Sequence, residues 1–452
     1  MSRRTSMMNF SHFMCAGLAA AALVVAPAGV AREGPADARQ TPVKSDYAYP
    51  ALQAFADRLV REGRVPGITI AVGQGDRPPT FIAAGRIATD GSAAPASADT
   101  LWRAYSMTKP VTGIAAMILV DEGKLKLDQP ISDFIPAFKS TRVFVDAAKG
   151  GETRAAAREI TVRHLLTHTS GLGYPQFAEK PLADMLNAAG LVPFSFGPAF
   201  EAVVRPKRPT ALLAFAERRA TIPLAEDPGT KFSYAMGLDV LAAVIERASG
   251  MPYEAFIQQR LLGPLGMQST YWQVPADAVP RFADTILKDP KTGAVNIMDP
   301  AATSPYLKPP SFPYGGGGLV MSARDYDRFL HMLQNGGTLG GKRILSRRAA
   351  SLAMSNLLPP GVNYAGFGPI PANEPTGFGA GGFVTIAETD GFGRKRGTFG
   401  WDGAAGTRAW VNPKEKVRVT MMINIFGGLD LVDAFEQAVA TDLRSTRSRS
   451  RP

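Results

Sequence analysis

Residues 101–110 read Leu-Trp-Arg-Ala-Tyr-Ser-Met-Thr-Lys-Pro and place Ser106 three positions before Lys109. Of all the serines in the chain, only Ser106 has a lysine at this spacing. Side chains three residues apart at the start of a helix share one face, so the hydroxyl and the amine come together. A desolvated amine can accept the hydroxyl proton, and the helix N-terminus favours developing negative charge. The pattern predicts a serine nucleophile activated by lysine.

The composition excludes several other chemistries. The chain has 452 residues, of which 45% are hydrophobic, as in ordinary globular proteins. Its single cysteine, Cys15, excludes an internal disulfide and a thiolate zinc site. No Gly-x-Ser-x-Gly is present, which argues against an α/β-hydrolase elbow. His164 and His168 lack the glutamate of a zinc-protease helix, so we expect them to cap or orient a turn, and we expect no metal or organic cofactor.

The formal charge of +11 does not indicate a polyanionic partner. Two arginines near the N-terminus and four within residues 444–452 account for six of these charges, which leaves +5 on the body. The body has no basic helix or interleaved aromatic run, so nucleic acid is not expected as a partner. Residues 444–452 are rich in Ser and Arg and are predicted to form a disordered tail.

Residues 1–31 have the pattern of a secretory signal peptide. Arg3 and Arg4 precede an apolar stretch, and small residues around Ala28 and Ala31 offer cleavage sites. The alternative is a membrane anchor, but the apolar stretch is short and Pro27 interrupts it. We therefore expect cleavage, no stable membrane span afterwards, and a periplasmic or secreted protein. Residues 32–46 are interpreted as a linker and residues 47–443 as one domain.

Hydrophobic periodicity predicts strands at both ends of the domain and helices between them. The predicted strands are 67–73, 80–85, 383–388, 397–401, 407–411 and 417–424. The predicted helices are 51–61, 110–123, 160–166, 211–219, 238–248, 253–262, 325–333 and 429–443. This order indicates an α/β (α+β) domain with two lobes, and the glycine run at 315–318 is interpreted as a flexible connection.

Residues 101–110 resemble the active-site segment of serine β-lactamase-like enzymes, which include class C β-lactamases, DD-peptidases and family VIII carboxylesterases. Four further segments resemble later family motifs in the expected order. They are residues 160–172, 232–241, 315–325 and 400–407. The resemblance spans about residues 50 to 440 and implies a β-lactamase/transpeptidase-like fold, with an antiparallel sheet flanked by helices and a mainly helical lobe.

The resemblance also implies roles for individual residues. Ser106 would be the acylated nucleophile, Lys109 its activator, and Tyr234 a general base or proton shuttle. Which of Lys109 and Tyr234 takes the first proton stays open. The backbone amides of Ser106 and Ala404 would form the oxyanion hole. The remaining expected substrate contacts are Tyr105, Met236, Trp401, Asp402 and Gly403, the last because glycine permits close approach to the substrate.

Departures from the family pattern indicate the substrate. Trp401 replaces a lysine that helps to hold a substrate carboxylate, and Met236 replaces an asparagine that hydrogen-bonds a substrate amide. Both changes favour a neutral, apolar acyl substrate. Asp402 replaces a glycine, and we expect its carboxylate to deter anionic substrates or to pair with Arg408.

The leading interpretation is a secreted serine carboxylesterase acting on a small-molecule ester. The alternatives are a β-lactamase or D-amino-acid peptidase acting on a lactam or amide, an acyltransferase, and a non-catalytic penicillin-recognising binder. The oligomeric state is left open.

Overall fold

A computed structural model describes residues 49–289, 292–364, 366, 376–426 and 431–449. The predicted leader (1–31) and linker (32–46) lie outside these ranges. The strands are β1 Gly67–Gln74, β2 Thr80–Gly85, β3 Leu101–Arg103, β4 Arg142–Phe144, β5 Thr153–Ala155, β6 Thr270–Tyr271, β7 Thr285–Lys288, β8 Val295–Asp299, β9 Val320–Ser322, β10 Thr338–Leu339, β11 Lys342–Arg343, β12 Thr376–Phe378, β13 Phe383–Thr385, β14 Phe399–Asp402, β15 Arg408–Asn412, β16 Val417–Met422 and β17 Ile425–Phe426. The helices are α1 Pro50–Arg61, α2 Thr108–Asp121, α3 Val162–Leu166, α4 Lys180–Ala188, α5 Pro198–Val204, α6 Leu212–Ala220, α7 Gly237–Ser249, α8 Tyr253–Ile257, α9 Gly263–Leu265, α10 Ala323–Gln334, α11 Arg347–Ala353 and α12 Leu431–Arg449.

The main sheet joins the two ends of the described chain. Its strand order is β12-β13-β14-β15-β16-β1-β2, and neighbouring strands are antiparallel. The N-terminal strand β1 pairs with the late strand β16, from Thr69 opposite Met422 to Gln74 opposite Val417. All six residues of β16 are buried because helices cover both faces of the sheet.

Alternation along the strands decides which helix each side chain meets. On one face, Arg408 of β15 donates from Nε to Glu436 of α12 at 2.7 Å. On the other face, Arg418 of β16 donates from Nε to Asp327 of α10 at 2.8 Å. Helix α1 packs beside α12 through Phe55, whose ring centre lies 5.8 Å from that of Phe435.

The predicted strand and helix pattern is confirmed at both ends of the domain, with boundaries that differ by a few residues. Helix α2 follows the nucleophile segment and is buried over nearly its whole length because it runs between the sheet and the helical lobe. No helix in the described ranges combines the length and apolarity needed to cross a membrane.

The structure corrects two expectations about irregular segments. Residues 444–449 are not a disordered tail but the last part of helix α12, which continues to Arg449. Thr446 in this part ties the helix to β1, since it accepts a hydrogen bond from Gln74 Nε2 at 3.1 Å. The glycine run at 315–318 is fully buried rather than a flexible connection. A Cβ on Gly315 would lie 2.4 Å from the Leu238 carbonyl oxygen, so only glycine allows this close packing against α7.

Candidate active site

The nucleophile segment forms a tight turn at the start of α2. Residues Tyr105–Met107 make one 3-10 turn between β3 and α2. Tyr105 has a φ of 44°, a left-handed conformation that is unfavourable for a residue other than glycine. Its ring is buried against Phe426, with ring centres 5.4 Å apart, and this packing holds the turn. The structure corrects the expectation that Tyr105 contacts substrate, since only 2% of this residue is exposed.

The turn brings together the three residues predicted to carry the chemistry. Lys109 Nζ lies 3.1 Å from Ser106 Oγ, and Tyr234 OH lies 2.8 Å from the same oxygen. Lys109 is only 1% exposed, and its ammonium lies over the Tyr234 ring at 4.8 Å from the centroid. Ser106 keeps some solvent access. Either contact can take the Ser106 proton once it is itself deprotonated, Lys109 as a neutral amine or Tyr234 as a phenolate beside the Lys109 ammonium.

A buried aspartate orients the lysine through the glycine run, a connection that the sequence reading missed. Lys109 Nζ donates to the Gly316 carbonyl at 2.6 Å, while the Gly316 amide donates to Asp239 Oδ1 at 2.8 Å. Tyr174 OH donates to Asp239 Oδ2 at 3.0 Å. Burial raises the pKa of Asp239 to about 6, and the Lys109 charge opposes this rise. Asp239 follows Tyr234 by five positions in the first turn of α7, which was the available signal.

The two histidines have structural roles. His164 and Thr161 form a reciprocal capping box at the start of α3. His168 lies behind Tyr234, with ring centres 4.4 Å apart, and its Nδ1 accepts from the Ala235 amide at 3.1 Å. Burial and the Lys109 charge hold the pKa of His168 well below its usual range, so its imidazole is neutral and packs against the tyrosine.

Residues 401–403 pack against the tyrosine and the nucleophile turn. The Trp401 ring centre lies 5.7 Å from that of Tyr234, and only 3% of Trp401 is exposed. A Cβ on Gly403 would lie 2.5 Å from the Ala104 carbonyl oxygen. The structure therefore corrects the expected role of Gly403. The absence of a side chain makes room for the Ala104 carbonyl, two residues before Ser106, and not for the substrate. Trp401 contributes chiefly by packing on the tyrosine.

The two amides expected to form the oxyanion hole are close to this contact. Gly403 abuts the nucleophile turn and Ala404 is the next residue. Within the described residues, neither the Ser106 nor the Ala404 amide donates a hydrogen bond to a protein acceptor. Both donors are thus available to a substrate oxygen, as an oxyanion hole requires.

Two expected substrate contacts point away from the site. Met236 is fully buried at the start of α7, so it has no surface from which to contact a substrate. Asp402 lies on the opposite face of β14 from Trp401, because successive side chains alternate along a strand. It faces Arg408, its cross-strand partner, at 3.2 Å. The structure thus corrects both assignments, and pairing with Arg408 is the part of the Asp402 expectation that holds.

The buried charge of Arg408, behind residues 401–403, predicts a large effect on stability when it is removed. Arg408 is 1% exposed and faces both Asp402 and Glu436. Arg408→Ala leaves these carboxylates without their shared cation and is expected to lower the free energy of unfolding by about 3–5 kcal/mol. Urea denaturation measures this change. The control is Arg324→Ala, which removes a half-exposed ion pair with Asp99 and is expected to cost less than about 1 kcal/mol. Equal losses would contradict the prediction.

The fold and the site together define a serine hydrolase. Ser106 lies beside an amine and a phenol, and unpaired amides adjoin it at the end of β14, an inner strand of the antiparallel sheet. The family model "Beta-lactamase" matches residues 52–442, and the chain belongs to this family.

Known proteins with related sequences include both hydrolases and transferases. Esterase EstB of Burkholderia gladioli is 33% identical over 300 residues, which cover 63% of this chain and 69% of EstB. Monacolin J acid methylbutanoyltransferase of Aspergillus terreus is 26% identical over 340 residues, covering 71% of this chain and 76% of that protein. The solved structure of simvastatin synthase (LovD) from Aspergillus terreus matches with a TM-score of 0.72 at 22% identity, over 87% of this chain and 98% of that one. These comparisons confirm the predicted family and fold class.

Proposed function

We propose that the chain hydrolyses carboxylic esters through an acyl-enzyme on Ser106. The observation that carries the proposal is the contact of Ser106 Oγ with both Lys109 Nζ and Tyr234 OH, at 3.1 and 2.8 Å. The similarity to an esterase supports the choice of substrate. In the first step Oγ bonds to the ester carbonyl carbon while the amides of Ser106 and Ala404 receive the developing negative charge.

The proton follows a short relay in this proposal. The Ser106 proton passes to the Lys109–Tyr234 pair, which begins the step with one of its two groups deprotonated and acts as one coupled unit. The pair returns the proton to the leaving alcohol when the tetrahedral intermediate collapses. Water then attacks the acyl carbon and gives a proton to the same pair, which returns that proton to Ser106 Oγ as the acid leaves.

Trp401 favours esters over lactams and peptides through the charge that it lacks, while its own ring packs on Tyr234. It replaces the family lysine that helps to hold a substrate carboxylate, and losing such a charge-assisted contact removes about 1.5–3 kcal/mol. Arg103 and Arg408 do not replace this cation, because each is ion-paired in the interior with Asp299 and Glu436 respectively. Met236 and Asp402 do not contribute to this preference, since neither faces the site.

A substrate panel tests the proposed preference. We expect faster turnover of a short-chain p-nitrophenyl ester than of a chromogenic cephalosporin or a D-Ala-D-Ala peptide. Comparison of the three kcat/KM values measures the preference. Dominant turnover of either the cephalosporin or the peptide would replace the esterase assignment by a β-lactamase or a D-amino-acid peptidase.

Acyl transfer is the second candidate function, favoured by the similarity to a methylbutanoyltransferase. An acyl-Ser106 intermediate that reacts with water can also react with an alcohol bound in its place. Adding simple alcohols during ester turnover and quantifying acid and new ester separates the two functions. Acid as the dominant product at millimolar alcohol supports the hydrolase, whereas new ester as the dominant product supports the transferase.

We also propose that the protein is exported and processed near residue 31, on the basis of the leader pattern in residues 1–31. N-terminal sequencing of the protein from a cell fractionation tests this proposal. A periplasmic or secreted chain beginning just after Ala28 or Ala31 is expected. An intact N-terminus in the membrane fraction would instead indicate an anchor.

The pH dependence of the reaction should depend on Asp239. Its pKa is raised to about 6, so the carboxylate that accepts from Gly316 and Tyr174 is present above this pH and is lost as the pH falls below it. We therefore expect kcat/KM to fall on the acid side of about pH 6. Asp239→Asn should lower the plateau by about tenfold, or 1.4 kcal/mol, and remove this acid limb.

Asp325→Asn is a matched control for this substitution. Asp325 is also a buried aspartate in the third position of a helix, but it hydrogen-bonds to Ser269 and Thr270 away from the site. Its pH–rate profile should match that of the unsubstituted protein. An unchanged acid limb in Asp239→Asn would show that another group titrates.

A further inference from the structure

A small apolar cluster lies next to the nucleophile, and Phe196 joins it to the main core. Its buried members are Tyr105, Ala405 and Phe426, and its partly exposed members are Phe196, Leu287, Met298 and Ala404. No member carries a charge. The partly exposed face formed by Phe196, Leu287 and Met298 is called the Met298 face below.

The cluster touches the two chain segments that would hold the ester carbonyl. Tyr105 directly precedes Ser106, and Ala404 carries one of the two unpaired amides. A carbonyl carbon bonded to Ser106 Oγ with its oxygen at the Ala404 amide is therefore beside this cluster. Any group attached to that carbon on this side meets apolar surface.

The position of Tyr234 assigns this side to the acyl group. The leaving alcohol must lie near Tyr234 OH to receive a proton, and Tyr234 packs against a different set of rings, which includes Phe177 and Trp401. The Met298 face contains none of these residues. With the alcohol on the tyrosine side, the acyl chain is left to extend over the Met298 face.

The Met298 face is held rigidly relative to Ser106. Leu287 is in β7 and Met298 in β8, which form a small sheet with β17. Arg103, three residues before Ser106, donates from Nε to Asp299 of β8 at 2.5 Å. Asn424, just before β17, exchanges two hydrogen bonds with the Arg103 backbone, at 3.0 and 3.1 Å. Since Arg103 is saturated and fully buried, it offers no charge to an acyl carboxylate.

We propose that the Met298 face is the acyl-binding subsite and that the substrates are esters of uncharged, apolar acids with a chain of several carbons. The inference rests on the proposed esterase function and adds the chemistry of the acyl group. Each methylene of the acyl chain that the preformed, apolar Met298 face removes from water strengthens the binding of the substrate.

A chain-length series tests the subsite. For Leu287→Ala and Met298→Ala, the ratio of kcat/KM for p-nitrophenyl hexanoate to that for the acetate should fall by about threefold to tenfold. The kcat/KM for p-nitrophenyl acetate should stay within about twofold of that of the unsubstituted protein, because an acetyl group is too short to reach the Met298 face. Val203→Ala is the control, since Val203 is 60% exposed on α5 and lies outside the cluster.

A second substitution tests the same subsite by a gain of function. Met298→Lys places an ammonium at the Met298 face, where it can pair with a carboxylate at the end of the acyl chain. The ratio of kcat/KM for the p-nitrophenyl monoester of glutaric acid to that for p-nitrophenyl hexanoate should therefore rise by about tenfold. If Ser106 reacts fully with a fluorophosphonate but neither ratio changes, the acyl subsite is wrong and the esterase proposal stands. If the unsubstituted protein hydrolyses none of these esters, the esterase proposal fails and this inference fails with it.

Discussion

Ser106→Ala is expected to lower kcat/KM for p-nitrophenyl butyrate by about 10⁴-fold or more, because no other group replaces the nucleophile in the covalent step. The remaining rate would come from binding and the two unpaired amides alone. Initial-rate measurement of the released p-nitrophenol follows this loss.

Ser355→Ala is the control for the removal of a hydroxyl. Ser355 donates to the Leu352 carbonyl at the end of a helix and has no contact with the site. Its rate should equal that of the unsubstituted protein. Retention of more than about a tenth of the activity by Ser106→Ala would exclude Ser106 as the nucleophile.

Tyr234→Phe is expected to lower kcat/KM by about 10²–10⁴-fold, since it removes the hydroxyl that lies 2.8 Å from Ser106 Oγ and keeps the ring packing. The loss should appear in kcat, because the phenol acts on the reacting atoms and not in ground-state binding. Steady-state kinetics with p-nitrophenyl butyrate separate the two parameters.

Tyr174→Phe provides a matched control in the same site. Tyr174 is also a buried tyrosine, and the Lys109 ammonium lies 5.4 Å from its ring centroid, but its hydroxyl donates to Asp239 instead of contacting Ser106. Its substitution should cost no more than about tenfold. Similar losses for the two tyrosines would mean that both act only by supporting Lys109.

The sequence predicted the residues that carry the chemistry because their spacing is local. Ser106 and Lys109 share one turn of helix, and the order of motifs indicated Tyr234 as the third member. Strand and helix periodicity likewise predicted both ends of the sheet, because burial on one face imposes a regular pattern. These features need no knowledge of which distant segments meet.

The residues that sequence reasoning missed or misplaced depend on long-range contacts. Gly316 orients Lys109 across 207 positions of sequence, and Asp239 reaches Gly316 across 77. Met236 and Asp402 occupy motif positions, but side-chain direction follows from the start of α7 and from the alternation of β14. A motif fixes the position of a residue along the chain, whereas the packing of neighbouring elements decides which way its side chain faces.

The acyl-enzyme is the central claim, and its direct detection is the most direct test. The protein is mixed with p-nitrophenyl butyrate, quenched in acid during turnover, and analysed by intact mass and peptide mapping. The proposed mechanism predicts one butyryl group per chain, on the peptide that contains Ser106, and none on Ser106→Ala. A butyryl group on another residue, or turnover that persists in Ser106→Ala, would contradict it. Failure of a fluorophosphonate to label Ser106 in the unsubstituted protein would indicate a non-catalytic binder.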